Sequence, residues 1–132
     1  MARFATLFSG SSGNSAAVAH TAAGQEEFLL VDIGNFMCAD ETPAESVKIA
    51  ANYAVHVHAK DFIKHPFGSE NPKGFQSRGC NYLEGCAVGE GDIPVEQCIA
   101  ILRRAGYDGY VSIEYEGAGD CFEGIKKGIE TL

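Results

Sequence analysis

Short apolar runs and helical patterns alternate along most of the chain, and they predict a fold built from strand–helix units. After residue 27 the predicted order is strand, helix, strand, loop, helix, strand, helix. Phe28–Val31 is a continuous apolar run that reaches Asp32 and Gly34, as expected for a strand buried on both faces of a parallel sheet. Further strands are predicted over residues 53–58 and 110–114. Repeated units of this kind give parallel strands with right-handed crossovers, so the predicted class is α/β.

The predicted helices have recognisable ends. The first begins with Thr42 in the N-cap position and Pro43 at the first helical position, and it runs to about residue 52. The second begins at Pro94, carries an apolar stripe and a basic last turn, and stops at Gly106. The third is predicted over residues 120–130. Its apolar side chains on one face are Phe122, Ile125 and Ile129.

Two regions do not follow the strand–helix alternation. Residues 1–27 are predicted to form an N-terminal β-hairpin segment, with strands over 3–8 and 16–20 and a polar loop over 21–27. Residues 59–92 are rich in Gly, Asn, Pro and Ser and lack sustained periodicity, so they are predicted to be a long loop. A loop of that length in a compact domain is usually functional or wrongly assigned.

Composition and charge narrow the function classes. The chain has 132 residues, of which 45% are hydrophobic, and this fits one globular domain. Its net charge of −8 repels phosphate backbones, which excludes nucleic acid as an expected partner and suits a site that collects cations. With no apolar run long enough for a membrane span and no signal-peptide layout, we expect a cytoplasmic protein without a membrane partner. The odd number of cysteines favours reduced thiols over disulfides.

Polar side chains follow each predicted parallel strand at its carboxyl end. They are Asp32 after the first strand, His56 and His58 on the second, and Glu114 and Glu116 on the third. Because the carboxyl ends of parallel strands lie on one side of a sheet, we expect these groups to converge, as catalytic residues do in (β/α)₈ enzymes. Asp, His and Glu supply the oxygen and nitrogen ligands that Mn²⁺, Mg²⁺, Co²⁺ or Zn²⁺ accept. The sequence therefore predicts a divalent metal site here.

Each of these residues also has a purely structural interpretation. Asp32 is equally suited to capping the turn that follows it. Glu116 lies near a loop and could simply be solvated, whereas an unpaired Glu114 in a buried strand would be costly and needs a metal or a lysine partner. Lys60 is interpreted either as a ligand for a substrate oxyanion or as an ion-pair partner of Asp61 or Glu116. Arg78, in the long loop, could hold a phosphate or carboxylate, although an exposed arginine is the commoner case.

Four motifs, which follow one another along the chain, resemble those of a known family. They are Val31–Phe36, His56–Phe62, Gly89–Ile93 and Gly106–Gly117. Together they resemble the C-terminal part of the sugar phosphate isomerase/epimerase family, the xylose isomerase-like TIM barrels, over residues 28–132. The resemblance implies a partial (β/α) barrel made of the last three βα units with parallel strands, preceded by the N-terminal β-hairpin. Since a closed barrel takes about 250 residues, roughly half of one is expected in this chain.

The resemblance also implies an activity and roles for individual residues. It implies proton transfer beside the carbonyl of a sugar or sugar phosphate, with a divalent metal polarising the carbonyl. The implied metal ligands are Asp32, His58 and Glu114, and the candidate catalytic residues are Glu114 and Lys60. The candidate substrate-binding residues are Asn35, His56, Arg78 and Glu116. The further glutamate that the family takes from strand five has no counterpart upstream of Asp32 except the misplaced pair at 26–27.

A second resemblance concerns residues 1–34, which are similar to the N-terminus of metallo-β-lactamase-fold hydrolases. It is carried by Met1–Ser15 and by Leu30–Gly34. The ligand signature of that fold, His-x-His-x-Asp-His, is not matched by His56–Asp61, and this argues against hydrolase activity. The two resemblances share the tripeptide Asp32-Ile33-Gly34, which suggests a junction between two coding segments at this point.

The sequence thus favours a metal-dependent isomerase or epimerase that acts on a small sugar or sugar phosphate. The alternative is a non-catalytic α/β module that associates with a partner or with its own copies. Three parallel strands taken from a barrel leave open sheet edges, and open edges favour such association, including a homo-oligomer. A metallo-β-lactamase-like hydrolase is the third and weakest interpretation.

Overall fold

The computed structural model describes residues 2–8, 15–21, 25–70 and 74–132, with side chains for 29–70 and 74–132. The strands are β1 (Ala2–Phe8), β2 (Ser15–Thr21), β3 (Gln25–Asp32), β4 (Ala54–Ala59), β5 (Asp61–His65), β6 (Phe75–Gln76), β7 (Tyr82–Cys86) and β8 (Val111–Ile113). The helices are α1 (Ile33–Cys38), α2 (Pro43–Ala50), α3 (Val95–Arg104) and α4 (Cys121–Thr131), with a short 3-10 turn at Ala51–Tyr53. Among the described residues, no helix is both long enough and apolar enough to cross a membrane.

The larger sheet has the strand order β1-β2-β3-β4-β8. Its first part is antiparallel, since β2 pairs in that sense with both β1 and β3. Its second part is parallel, with β4 between β3 and β8. The described strands leave β1 and β8 as edges, so this sheet does not close into a barrel. The fold is therefore α/β with a partial (β/α) barrel, as predicted, and association through the open edges stays a prediction.

Strands form near both predicted positions in the N-terminal segment, while the turn predicted between them lies outside the described residues. The loop predicted over 21–27 is wrong at its end, because β3 begins at Gln25 and pairs with β2 from Thr21 onward. Residues 25–27 are polar, so the apolar pattern of the sequence does not extend the strand to them. The strand includes them because their backbones pair with β2. The division of the chain at residue 27 stays a prediction.

The prediction of an irregular loop over 59–92 is wrong. This stretch contains a second, antiparallel sheet in the order β5-β7-β6. Its inner face is apolar, because Phe62 and Leu83 are fully buried and Phe75 packs edge-on against Phe62 with ring centroids 5.4 Å apart. The strands are two to five residues long and pair across sequence-distant segments, which leaves no sustained periodicity to detect.

The helix ends largely follow the sequence signals. Thr42 occupies the N-cap of α2 with Pro43 at the first helical position, although the threonine side chain makes no capping hydrogen bond. Pro94 is the N-cap of α3, and Gly106 follows this helix with a φ of 88°, a left-handed conformation that favours glycine. The sequence interpretation missed α1, a helix of only six residues that Asp32 caps directly at the end of β3.

The last helix, α4, does not pack through its apolar stripe. Gly124 and Gly128 form its buried side, and a Cβ on Gly128 would lie 3.1 Å from Ile113 Cδ1 of β8. The stripe faces outward instead, with Phe122 80% and Ile129 66% exposed. The small glycine face therefore lets α4 approach β8 closely and leaves its larger apolar side chains at the surface.

Candidate metal centre

The parallel register brings three of the predicted residues to one end of the sheet. Asp32 of β3 pairs with His58 of β4, and His58 pairs with Ser112 of β8. Glu114 follows two residues after Ser112, and its backbone N–H donates to the Ala59 carbonyl at 2.9 Å. Side chains two residues apart along a strand share a face, so Glu114 continues the face that carries Ser112.

A cluster of charged side chains forms at this point. We call Asp32, His58, Lys60, Glu114 and Glu116 the strand-end cluster. His58 Nδ1 lies 2.6 Å from Glu114 Oε1. Lys60 Nζ lies 3.1 Å from Asp32 Oδ2, 2.6 Å from Glu114 Oε2 and 2.9 Å from Glu116 Oε1. One ligand atom from each of Asp32, His58 and Glu114 lies within 4.8 Å of the others, so the geometry suits a shared cation.

Asp32 serves the helix and the cluster at the same time. Its Oδ1 accepts the backbone N–H groups of Gly34 at 3.1 Å and Asn35 at 3.3 Å, which caps α1. Its Oδ2 faces Lys60. The two interpretations raised by the sequence, a turn cap and a site carboxylate, therefore apply to different oxygens of one side chain.

Lys60 lies at the centre of the cluster and is only 5% exposed. Of the two ion-pair partners considered for it, Glu116 is in contact. Asp61 instead accepts backbone N–H groups, which belong to Phe62, Gly89, Gly91 and Ile93. The lysine stem crosses Gly34, where an added Cβ would lie 2.1 Å from Lys60 Cγ. Glycine at position 34 is thus what allows the lysine to reach the carboxylates.

The charges within the cluster shift the acidity of its members. Burial alone would raise the pKa of Glu114, but the hydrogen bond and charge of Lys60, assisted by His58, hold it below its usual value. Burial opposes the charged form of Lys60, yet Asp32, Glu114 and Glu116 together raise the pKa of this lysine. Burial raises the pKa of Asp32, since the charge of Lys60 offsets only part of the desolvation. At neutral pH, Lys60 is therefore an ammonium and Glu114 a carboxylate.

A histidine–serine pair lies beneath the cluster on the same face. His56 Nε2 is 3.0 Å from Ser112 Oγ. The His56 ring meets the His58 ring edge-on with centroids 5.1 Å apart. The sequence interpretation missed Ser112, although its spacing of two residues from Glu114 on β8 is a signal that could have found it. His56 thus supports the His58 ring from the side away from the strand ends.

The two remaining candidates, Asn35 and Arg78, are not members of the strand-end cluster. Asn35 is buried in α1, and its side chain accepts a weak contact from Cys38 Sγ at 3.9 Å. Burial raises the pKa of Cys38 to about 12, so this thiol is not an activated nucleophile. Arg78 is exposed, and its backbone N–H donates to the Cys38 carbonyl at 2.9 Å. Within the described part of the chain, Arg78 forms no ion pair with the carboxylates of the strand-end cluster.

Comparison with known proteins gives one family. Residues 18–132 match the family described as xylose isomerase-like TIM barrel. The match begins within β2, upstream of the start at residue 28 that the motifs predict, and it includes every residue of the strand-end cluster. A search of curated proteins finds no significant match.

Proposed function

Because this chain belongs to the xylose isomerase-like TIM barrel family, we propose that it is a metal-dependent isomerase or epimerase. Its substrate would be a sugar or sugar phosphate, and the reaction a proton transfer at a carbon beside a carbonyl. The observation that carries the proposal is the convergence of Asp32, His58 and Glu114, whose ligand atoms lie within 4.8 Å of one another. They stand at the carboxyl ends of parallel strands, where (β/α) barrels place their chemistry.

The chemistry of the donors fits a divalent cation. One imidazole nitrogen and two carboxylates suit Mn²⁺, Mg²⁺, Co²⁺ or Zn²⁺, and three protein ligands leave positions open for a substrate. The cluster's three carboxylates and one ammonium carry a formal charge of 1 − 3 = −2, which a divalent ion balances. Asp32, His58 and Glu114 would hold the ion. A bound ion would polarise a substrate carbonyl and stabilise the negative charge that develops on its oxygen.

Two residues of the chain are assigned to the proton transfer. Glu114 is ionised at neutral pH and has two oxygens, so one can accept a proton from the substrate carbon and return it. Lys60 stays protonated, and its Nζ is suited to donating a hydrogen bond to the substrate oxygen that gains negative charge. Glu116, which lies within the strand-end cluster, is proposed to contact the substrate, whereas the same role for Asn35, His56 and Arg78 stays a prediction from the sequence.

Metal binding tests the first part of this proposal. We expect the protein to bind Mn²⁺ at about one ion per chain by calorimetry, and His58→Ala to lower the affinity about 10- to 100-fold. His65→Ala is a matched control, because His65 pairs with Glu84 on the second sheet, outside the strand-end cluster. A wild-type protein that binds no divalent ion, or an equal loss in both variants, would contradict the proposed site.

Isotope exchange tests the reaction itself. Aldoses, ketoses and their phosphates are incubated in D₂O with the Mn²⁺-loaded protein, and deuterium entering the carbon beside the carbonyl is followed by NMR. We expect exchange with at least one substrate and its loss in Glu114→Gln, because the amide cannot accept the proton. If the protein binds Mn²⁺ but exchanges no deuterium into any of these sugars, the metal site is supported and the isomerase assignment is refuted.

A further inference from the structure

We infer that Lys60 is a built-in occupant of the proposed metal site, which holds the ligand carboxylates together and competes with a divalent cation for them. This inference rests on the proposed function and deepens it, because it concerns what sets the metal affinity. It predicts that removing the ammonium makes the site bind a divalent ion more tightly, although a charged side chain has been lost.

The contacts of Lys60 occupy the oxygens that a cation needs. The three N–H donors of its ammonium are matched by three carboxylate contacts, at 3.1 Å to Asp32 Oδ2, 2.6 Å to Glu114 Oε2 and 2.9 Å to Glu116 Oε1. The other oxygen of Asp32 already accepts two backbone N–H groups from α1. The Asp32 oxygen free of backbone bonds is therefore the one that Lys60 now holds.

The position of Lys60 is fixed by the fold. Lysine side chains are rarely buried unless they are paired, and this one is 5% exposed. Its stem passes over Gly34, where a Cβ would come within 2.1 Å of Lys60 Cγ. Because the burial is compensated by carboxylates on β3 and beyond β8, the ammonium joins the two outer parallel strands across β4. It thus does in the metal-free protein what a shared cation would do.

Glu116 gives the ammonium an alternative partner. Its carboxylate contacts Lys60 but is not among the three residues whose ligand atoms converge. Its side chain is also 42% exposed, whereas that of Asp32 is 3% exposed, so Glu116 can remain partnered near the solvent. We therefore expect Lys60 to keep Glu116 when it releases Asp32 and Glu114 to a cation.

Substitution of Lys60 tests the competition directly. Lys60→Met keeps the length of the stem and removes the charge, and Mn²⁺ binding is followed by the EPR signal of the free ion. We expect a dissociation constant about tenfold lower than that of the wild type, or lower still, because a like charge beside the ion is removed. The metal-free variant should melt at a lower temperature than the wild type, and saturating Mn²⁺ should restore most of the difference.

The matched control is Lys64→Met, which removes the same charge from the exposed part of β5. Lys64 lies next to Asp40, at 3.5 Å, and has no contact with the strand-end cluster among the described residues. We expect its Mn²⁺ affinity to equal that of the wild type. If Lys60→Met does not fold, Lys60→Gln keeps polar atoms at the site without the charge and should show the same direction of change.

A double-mutant cycle with Glu116 tests the alternative partner. Glu116→Gln should weaken Mn²⁺ binding several-fold in the wild-type background, because the displaced ammonium loses its remaining carboxylate. It should have little effect in the Lys60→Met background, where there is no ammonium to place. An equal loss in both backgrounds would mean that Glu116 itself binds the ion, and it would overturn this part of the inference.

The outcomes separate this inference from the proposed function. Equal Mn²⁺ affinity of the wild type and Lys60→Met, or weaker binding by the variant, overturns the competition and leaves the metal site standing. Binding by Lys60→Met alone supports the competition and refutes metal dependence of the natural protein. Absence of binding in both proteins overturns both ideas.

Discussion

Two aspartates near the ends of the parallel strands are both almost wholly buried, yet their surroundings differ. Asp61 is 1% exposed, and within the described residues its two oxygens accept only backbone N–H groups. Asp32 is 2% exposed, and it gives one oxygen to backbone N–H groups and the other to the Lys60 ammonium. The first carboxylate fixes the turn that leads to α3, and the second belongs to the strand-end cluster.

The difference lies in which partners can be exchanged. Backbone amides are positioned by the fold, so removing them from Asp61 requires the turn at 89–93 to open. A lysine side chain can move about its rotatable bonds while the fold stays intact. Burial of a carboxylate therefore does not identify a functional site by itself, whereas a buried carboxylate with a movable partner retains the capacity to bind another cation.

We expect the largest difference between the two aspartates in the free energy of unfolding that each loses on replacement by alanine. Asp61→Ala should lower the free energy of unfolding by about 3–4 kcal/mol, because four N–H groups lose their acceptor together. Asp32→Ala should cost about 1–2 kcal/mol, mainly as a lost helix cap. Denaturation by urea without metal measures both, with the exposed Asp108→Ala as the reference for a neutral change. Equal losses at positions 61 and 32 would erase the distinction.

The glycines beside the two aspartates also differ in what surrounds them, and the expected effects are smaller. A Cβ on Gly91 would lie 2.2 Å from Asp61 Oδ1 and 2.6 Å from the Phe62 carbonyl oxygen, neither of which can retreat. We expect Gly91→Ala to cost about 2–3 kcal/mol. At Gly34 an added Cβ would lie 2.1 Å from Lys60 Cγ and 3.2 Å from the Lys60 carbonyl oxygen, so the buried lysine stem must shift and loosen its carboxylate contacts. Alanine is favoured over glycine at a helical position, which offsets part of this cost, and Gly34→Ala should cost about 1–2 kcal/mol.

The same two glycine variants are expected to differ in their affinity for Mn²⁺. Gly34→Ala displaces the lysine stem and should change the Mn²⁺ affinity, whereas Gly91→Ala should leave it unaltered in the folded fraction. Urea denaturation for stability and EPR for Mn²⁺ are the two measurements. A larger stability loss at Gly34 than at Gly91 would show that the Lys60 stem is as rigid as the backbone around Asp61.

The strand-end cluster was predictable in outline because it depends on strand pairing. Once three strands are parallel, Asp32, His58 and Glu114 must share an edge, and Lys60 follows directly after the end of β4. What the sequence could not supply is the path of the lysine stem over Gly34, since it depends on the tertiary approach of α1 to β4. The sequence therefore predicts only alternative partners for Lys60, a substrate oxyanion or the carboxylates of Asp61 and Glu116.

The second sheet and the last helix were less predictable for different reasons. β6 has two residues and, among the described strands, pairs with β7 alone, so its existence depends on tertiary contacts and not on local pattern. The stripe on α4 correctly groups Phe122, Ile125 and Ile129, but periodicity carries no information about which face packs. Here, the glycine face packs, since an added Cβ would lie 3.1 Å from Ile113 Cδ1 at Gly128 and 2.3 Å from Tyr115 Cε2 at Gly124.

Asp40 combines the two kinds of partner that distinguish Asp32 from Asp61. It accepts the Gly79 backbone N–H, the Ser77 hydroxyl at 2.9 Å and the Asn81 amide at 2.7 Å. Burial would raise the pKa of Asp40, but these donors together with Lys64 hold it below its usual value. Asp40 joins the end of α1 to the turn between β6 and β7, and it has a φ of 59°, which asparagine also tolerates.

The smallest expected effect is therefore a pH-dependent one at Asp40. Because its pKa is lower in the folded than in the unfolded chain, where it is about 3.9, the ionised group stabilises the fold above about pH 4. This contribution is lost as the pH falls through the folded-state value. Asp40→Asn should be less stable than the wild type by about 1 kcal/mol at pH 7, and the difference should shrink as the pH falls below about 4. Urea denaturation at a series of pH values from 7 downward measures this difference. A difference that stays constant as the pH falls would mean that lost packing, not lost charge, explains the variant.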